Sequence, residues 1–158
     1  MVQLNPRQVI VVSSRESNHD NMLTIASHCR LSGQDKLYGI SVSKIHFSHK
    51  LISASKTFCV NFLSYDQSEI AKGAGSISGS EGDKFSKLVI EKDDCGTIDC
   101  CRIKDAAAWL ECEVIEEVPT GDHTFFIGKI IRAEENPERT ELKRLMYVGD
   151  KTYSTTIR

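Results

Sequence analysis

The residues able to do chemistry in this chain are spread thinly. His19, His28, His46, His49 and His123 show neither zinc-protease nor paired-ligand spacing, and scattered surface histidines are the expected reading. His46 and His49 stand three apart at a helix start, a weak metal signal, and no metal site is expected. Cys95, Cys100 and Cys101 cluster as C-x4-C-C, without the C-x2-C pairing of zinc sites. Structural thiols are the favoured reading there, with a redox-active or metal role as the alternative. Cys29, Cys59 and Cys112 stand singly in apolar contexts, where a thiol behaves as a small hydrophobe. No G-x-S-x-G elbow occurs, so a hydrolase triad has no support.

Two segments have the composition of anion sites. Gly73-Ala-Gly75-Ser-Ile-Ser-Gly79 looks at first like a dinucleotide loop, but such a turn follows a strand and opens a helix. These glycines fall where a helix ends, so a C-cap and loop are expected. Ile40–Ile52, ISVSKIHFSHKLI, is a strand running through a polar bend into a helix with Ser48 placed as N-cap. Backbone amides, a hydroxyl and His46 would converge at that helix start, the arrangement that binds phosphate. An ordinary strand-to-helix connection is the plainer reading of the same residues.

The elements that must position these groups are mainly strands. In Trp109–Ile131, Leu110, Cys112 and Val114 alternate with Glu111 and Glu113, the pattern of a strand with one wet face. Pro119 and Gly121 mark a turn, Phe125 to Ile127 is apolar on both faces, and His123 stands between turn and strand. Further extended segments are Val9–Ser14, Met22–Leu31, Leu37–Val42 and Thr57–Leu63, with RESNHDN after the first read as a hairpin turn. Ser64 and Gln67 form a capping-box pattern that opens a second helix. The tail carries a charged stretch, ERTELKR, and then LMYVGDKTY, a last strand or loop. Six or seven strands with two short helices fit a β-barrel with helical insertions.

The chain has 158 residues, the length of one domain, and 20 basic against 22 acidic residues argue against nucleic acid as a partner. No window has the length of a membrane span, and MVQLNPRQ lacks an apolar signal core, so a cytoplasmic protein is expected.

With these segments set out, the chain resembles the flavin reductase-like family of FMN-binding split barrels, which includes the flavoredoxins. NPRQVIVVSS followed by NMLTIAS resembles the family's Pro-Arg strand and its Asn-x-x-Thr flavin strand. ISVSKIHFSHKLI resembles its phosphate-binding strand, bend and helix, and SGSEGDKF its S-G-x-x-x-D-K-F loop. AWLECEV with GDHTFFIGKI resembles its late hairpin, and YVGDKTY its closing segment, so the likeness covers about residues 5 to 153.

The resemblance implies a mainly β fold: a six-stranded antiparallel Greek-key split barrel with short helical insertions, one domain over residues 1–158. It implies a homodimer with FMN near the subunit interface, NAD(P)H as electron donor, and a possible redox protein partner. Asn21, Thr24, Ile25, Ala26 and Ser27 would line the ring and ribityl chain, with Ser41, Val42 and Ser43 alongside. His46, Phe47 and Ser48 would hold the phosphate, Lys84 would add a cation, and His123 would approach the flavin or nicotinamide. Similar proteins often have arginine at the His46 position and proline at Lys44, and Asp35-Lys36-Leu37 replaces an Asp-Pro-Pro. Histidine is only partly charged near neutrality, which shifts the phosphate grip toward Lys84, Lys44 and the helix amides. The function implied is an FMN oxidoreductase. A flavin-bound carrier reduced by a protein partner, or a barrel that has lost flavin, are the alternatives.

Overall fold

Val9, Ile10, Val11 and Val12 are all buried, because this β-branched run meets apolar cover on both faces. Val9 and Val11 belong to one core, and Ile10 and Val12 to another on the opposite side of the sheet. The computed structural model describes residues 4–140 and 143–156. Of the ERTELKR stretch, Glu141 and Leu142 lie outside the described residues. In chain order the elements are β1 (Arg7–Gln8), β2 (Ile10–Glu16), β3 (His19–Ile25), β4 (His28–Ser32), β5 (Leu37–Ser43), α1 (Phe47–Ser55), β6 (Thr57–Phe62), α2 (Ser68–Ser76), α3 (Lys84–Lys87), β7 (Lys92–Asp94), β8 (Cys101–Ile103), β9 (Ala108–Thr120), β10 (His123–Glu135), β11 (Leu145–Gly149) and β12 (Thr152–Thr155).

Seven strands form the main sheet in the order β3-β2-β6-β9-β10-β5-β4, each neighbouring pair antiparallel. β1, β11 and β12 form a second sheet and β7 with β8 a third. The expected mainly β, antiparallel fold with short helices therefore holds. Ile52 of α1 closes one core beside Phe58, Val60 and Phe126. The other core is covered by Ala71 and Ala74 of α2, Phe85 of α3, the segment from Ile98 to Ala106, and Leu145. Asn61 crosses between layers: its Nδ2 donates to Val11 O and Ser13 Oγ, each at 3.0 Å, and its Oδ1 accepts from Ile103 N at 2.7 Å.

Several local readings change. RESNHDN is mostly strand, since only Ser17 and Asn18 turn, with φ of 51° and 61°. Positive φ at both central residues is the turn that matches strand twist. Arg15 and Asp20 pair across that hairpin through an ion pair of 2.6 Å, which is why its polar residues still extend. Met22–Leu31 breaks at Ala26 and Ser27, where the chain passes from β3 to the edge strand β4, leaving Cys29 exposed rather than apolar. LMYVGDKTY is two paired strands, β11 and β12.

The late hairpin is longer than expected. Pro119 lies within β9, opposite Thr124, so the turn itself is Gly121 and Asp122, with Gly121 at φ 68°. Two register shifts leave Ile115 and Ile131 unpaired, and both are exposed. Glu111 is buried rather than wet: its carboxylate accepts from Gly96 N at 2.8 Å, Thr97 N at 2.7 Å and the Thr97 hydroxyl. Truncation as Glu111→Ala would remove the buried acceptor that ties down the exposed Gly96–Thr97 turn. A loss of about 1–3 kcal/mol in unfolding free energy is expected, measured by urea denaturation.

Candidate functional site

A cavity of about 180 Å³ opens where β3, the start of α1, the end of α2 and α3 meet. Asn21 and Leu23 come from β3, residues 45–48 from the bend into α1, residues 74–79 from α2 and the turn after it, and Lys84 from α3. Strand alternation delivers Asn21 to the same side as Leu23 and Ile25, toward α1. There Asn21 Nδ2 donates to Ser48 Oγ at 2.7 Å, while its buried Oδ1 has no hydrogen-bond partner. Gly79 packs so tightly on this amide that a Cβ would stand 2.3 Å from Oδ1, so only glycine fits.

Lys84 is 2% exposed and sits between β3 and α2, its Nζ donating to Met22 O at 2.8 Å and Ala74 O at 2.9 Å. An ammonium has three donors, so one remains for a ligand. Burial pulls Lys84 from the ordinary 10.5 to about 8. His46 is held below its ordinary value by burial and by the nearby Lys84 and His123 charges, so this rim histidine resists becoming a second cation. Among the lining residues there is no carboxylate. At the start of α1 His49 N already donates to His46 O at 3.0 Å, and helix geometry leaves the Phe47 and Ser48 amides, both on cavity-lining residues, without an intrahelical acceptor. Donors for an anion thus stand beside one acceptor, Asn21 Oδ1, suited to a hydroxyl.

The structure brings together five of the expected site residues: Asn21, His46, Phe47, Ser48 and Lys84. Ser48 is not the N-cap of α1. That position is His46, which makes no capping bond, and the Ser48 side chain instead accepts from Asn21. Thr24, Ile25, Ala26, Ser27, Ser41, Val42, Ser43 and His123 do not line the cavity. Thr24 Oγ1 donates to Ala71 O at 2.5 Å, and Ile25 and Val42 are buried in the core because alternation turns them inward. Ser27 Oγ accepts from Arg7 at 3.3 Å, and Ser43 lies opposite His123 in the β5–β10 pairing. His123 is partly exposed and its Nδ1 lies 2.8 Å from Asp122 Oδ1.

Three histidines expected on the surface are instead structural. His28 lies 2.6 Å from the Tyr38 hydroxyl and 2.9 Å from Gln8 O, and burial lowers its pKa. His49 meets Thr124 Oγ1 at 2.7 Å, and His19 packs edge-on to Phe47 with ring centroids 5.1 Å apart. The wall formed by residues 74–79 is the part of the site that the glycine pattern concealed. Gly73 and Gly75 lie inside α2, which ends at Ser76, and Ser78–Gly79 lead the SGSEGDKF loop that bounds the cavity.

The model of the flavin reductase-like domain matches residues 2–156, and the chain belongs to that family. An NADH-dependent FAD reductase from Streptomyces globisporus is 31% identical over 137 residues, 85% of this chain and 72% of that protein. The structure of an FMN-binding protein from Thermus thermophilus superposes with a TM-score of 0.87 at 26% identity, covering 96% of this chain and 87% of that one. A flavoredoxin from Methanosarcina acetivorans shares the fold at a TM-score of 0.87 and 22% identity, covering 99% and 91%. Among the described residues no helix is long and apolar enough to cross a membrane. The chain is thus a flavin reductase-like protein.

The Lys84 shift has a measurable sign. Its folded pKa of about 8 lies below the ordinary 10.5, so between these values the unfolded chain holds more protons. Stability should therefore rise with pH through that window, and urea denaturation of Lys84→Met should lack this rise.

Proposed function

We propose that the chain binds FMN with its phosphate in the α1 cavity and passes electrons from NAD(P)H to an acceptor. The observation that carries this reading is the meeting of Lys84 Nζ, the Ser48 hydroxyl and the α1 amides around a carboxylate-free cavity, with Asn21 Oδ1 unpartnered beside them. A polyol phosphate has the matching chemistry, an anion followed by hydroxyl donors. The roughly 180 Å³ of space suits a terminal phosphate and the arm next to it.

Lys84 and the amides would neutralise the phosphate, Ser48 would donate to it, and Asn21 would orient the arm. When bound, the flavin supplies the hydride-accepting and electron-releasing chemistry. Ser48, fixed by Asn21, needs no reorganisation to donate, which keeps the loss of entropy on binding small. His46 stands at the rim, with His123 outside the cavity but near enough to act on its charge, where an incoming nicotinamide would pass. The cavity is smaller than the roughly 300–1,000 Å³ of pockets that enclose a whole ligand. The ring would thus lie on an open surface, and a second copy of the chain covering it is the reading we adopt.

The absorption spectrum of purified protein, before and after anaerobic NADH or NADPH, tests the reading. Bleaching of bound flavin is expected. Flavin that stays oxidised would point to a carrier reduced by a protein partner, and failure to take up added FMN would overturn both redox readings. Ser48→Ala combined with Lys84→Met should weaken FMN by about 3–6 kcal/mol if each removes a charge-assisted bond, measured by flavin fluorescence titration. Affinity in the unsubstituted chain should also fall as pH climbs past about 8, where Lys84 loses its proton.

A further inference from the structure

The β7–β8 hairpin carries a thiol arrangement that flavin binding does not use. Asp94 pairs with Cys101, so the next opposed pair is Cys95 and Cys100, closed by Cys95 N donating to Cys100 O at 2.8 Å. Directly opposed residues of an antiparallel pair project to one face, and where a backbone hydrogen bond joins them, as here, their Cβ atoms stand about 5.5 Å apart. A disulfide needs a Cβ separation of about 3.5–4.5 Å, a small adjustment at the end of a short hairpin. Both thiols are free, Cys100 is fully buried and Cys95 is only partly so. A water-borne reagent therefore reaches Cys95 first.

We propose that Cys95 is a hydroperoxide-reactive thiol and that Cys100 is its resolving partner. The Cys95 thiolate attacks one oxygen of the hydroperoxide, an S–O bond forms, the O–O bond breaks, and hydroxide or alkoxide leaves and is protonated by water. Cys100 sulfur then attacks Cys95 sulfur, the S–O bond breaks, and the oxygen departs as water with the Cys100 proton. The hydroperoxide gains two electrons and two thiols become one disulfide.

The surroundings favour this order of events. The neighbouring Cys100 and Cys59 thiols, with Arg102 assisting, hold Cys95 below the ordinary thiol range against the opposing effects of burial and the Glu111 carboxylate. Arg102 is itself held in place, 2.9 Å from Glu134 and 4.2 Å from the Trp109 ring centroid. Cys59 also adjoins Cys95, but it is locked within β6 between Ser13 of β2 and Glu111 of β9. Bridging it would pull the hairpin into the sheet, whereas the Cys95–Cys100 bridge closes a loop of residues 96–99 in place. Cys29, a free thiol exposed on the edge strand β4, serves as the internal comparison.

The test treats the reduced full chain with an equivalent of hydrogen peroxide, blocks remaining thiols with N-ethylmaleimide, and maps peptides by mass spectrometry. Peptide 93–102 holds Cys95, Cys100 and Cys101. It should lose two hydrogens and retain one alkylated thiol, at Cys101, while Cys29 stays alkylated. Dimedone present during oxidation should label Cys95, both in the unsubstituted chain and more fully in Cys100→Ala. The unsubstituted chain keeps the test decisive if that variant does not fold. Cys95 alkylated as fully as in untreated protein, Cys29 oxidised first, or a Cys59–Cys95 bridge would each overturn the proposal.

Discussion

The burial of β2 and β6 on both faces is the constraint from which the rest follows. Ile10, Val12, Phe58 and Val60 face one core, and Val9, Val11 and Cys59 face the other, so each side of the sheet requires a cover. On one side α1 supplies it together with β5 and β10. On the other, α2, α3 and the segment after β7 do so. β3 is the strand at which the two covers meet. Its Asn21 side chain turns toward α1 and its Met22 carbonyl accepts from Lys84 beneath α2. The candidate site is the seam between two hydrophobic covers.

That position explains the electrostatics of the cavity. A buried ammonium is unfavourable unless its donors are met, and two carbonyls meet only part of the demand at Lys84. Desolvation lowers its pKa without abolishing the charge at neutral pH, so the site keeps a cation waiting for an anion. The same logic does not apply at the surface. Arg15 contacts Asp20, Asp94 and Asp99 at 2.6, 2.7 and 3.1 Å, tying the β7 end to the β2–β3 hairpin. Asp20 is largely buried, but Asp94 and Asp99 are exposed, and each of those two pairs contributes about 0.2–1 kcal/mol at most, its effect here being to position the cysteine hairpin.

Much of the architecture was legible because it rests on local pattern. The β-branched run at Val9–Val12, the alternation in Thr57–Phe62 and the capping relation between Ser64 and Gln67 each match an observed element. The strand, bend and helix of residues 40–52 also stand where the spacing puts them. Boundaries were misplaced where polar residues extend through cross-strand pairing, as at Arg15 and Asp20. They were misplaced again where a proline sits inside a strand, as at Pro119, and where glycines lie inside α2 to admit a close neighbour.

The sequence by itself determined the mainly β character, the family, and the candidacy of Asn21, His46, Ser48 and Lys84. Composition, alternation and short motifs report what a residue's near neighbours require, and these features depend on little else. Only the tertiary structure decided what those residues do. Ser48 is joined to Asn21 across 27 positions rather than capping its own helix. Lys84 reaches Met22 across 62 positions, and Glu111, which periodicity assigned to solvent, is buried and accepts from the amides of Gly96 and Thr97. Cys95 and Cys100 become partners through hairpin register rather than through motif spacing. Contacts between residues distant in the chain are set by which faces must be covered, and a one-dimensional pattern does not carry that information.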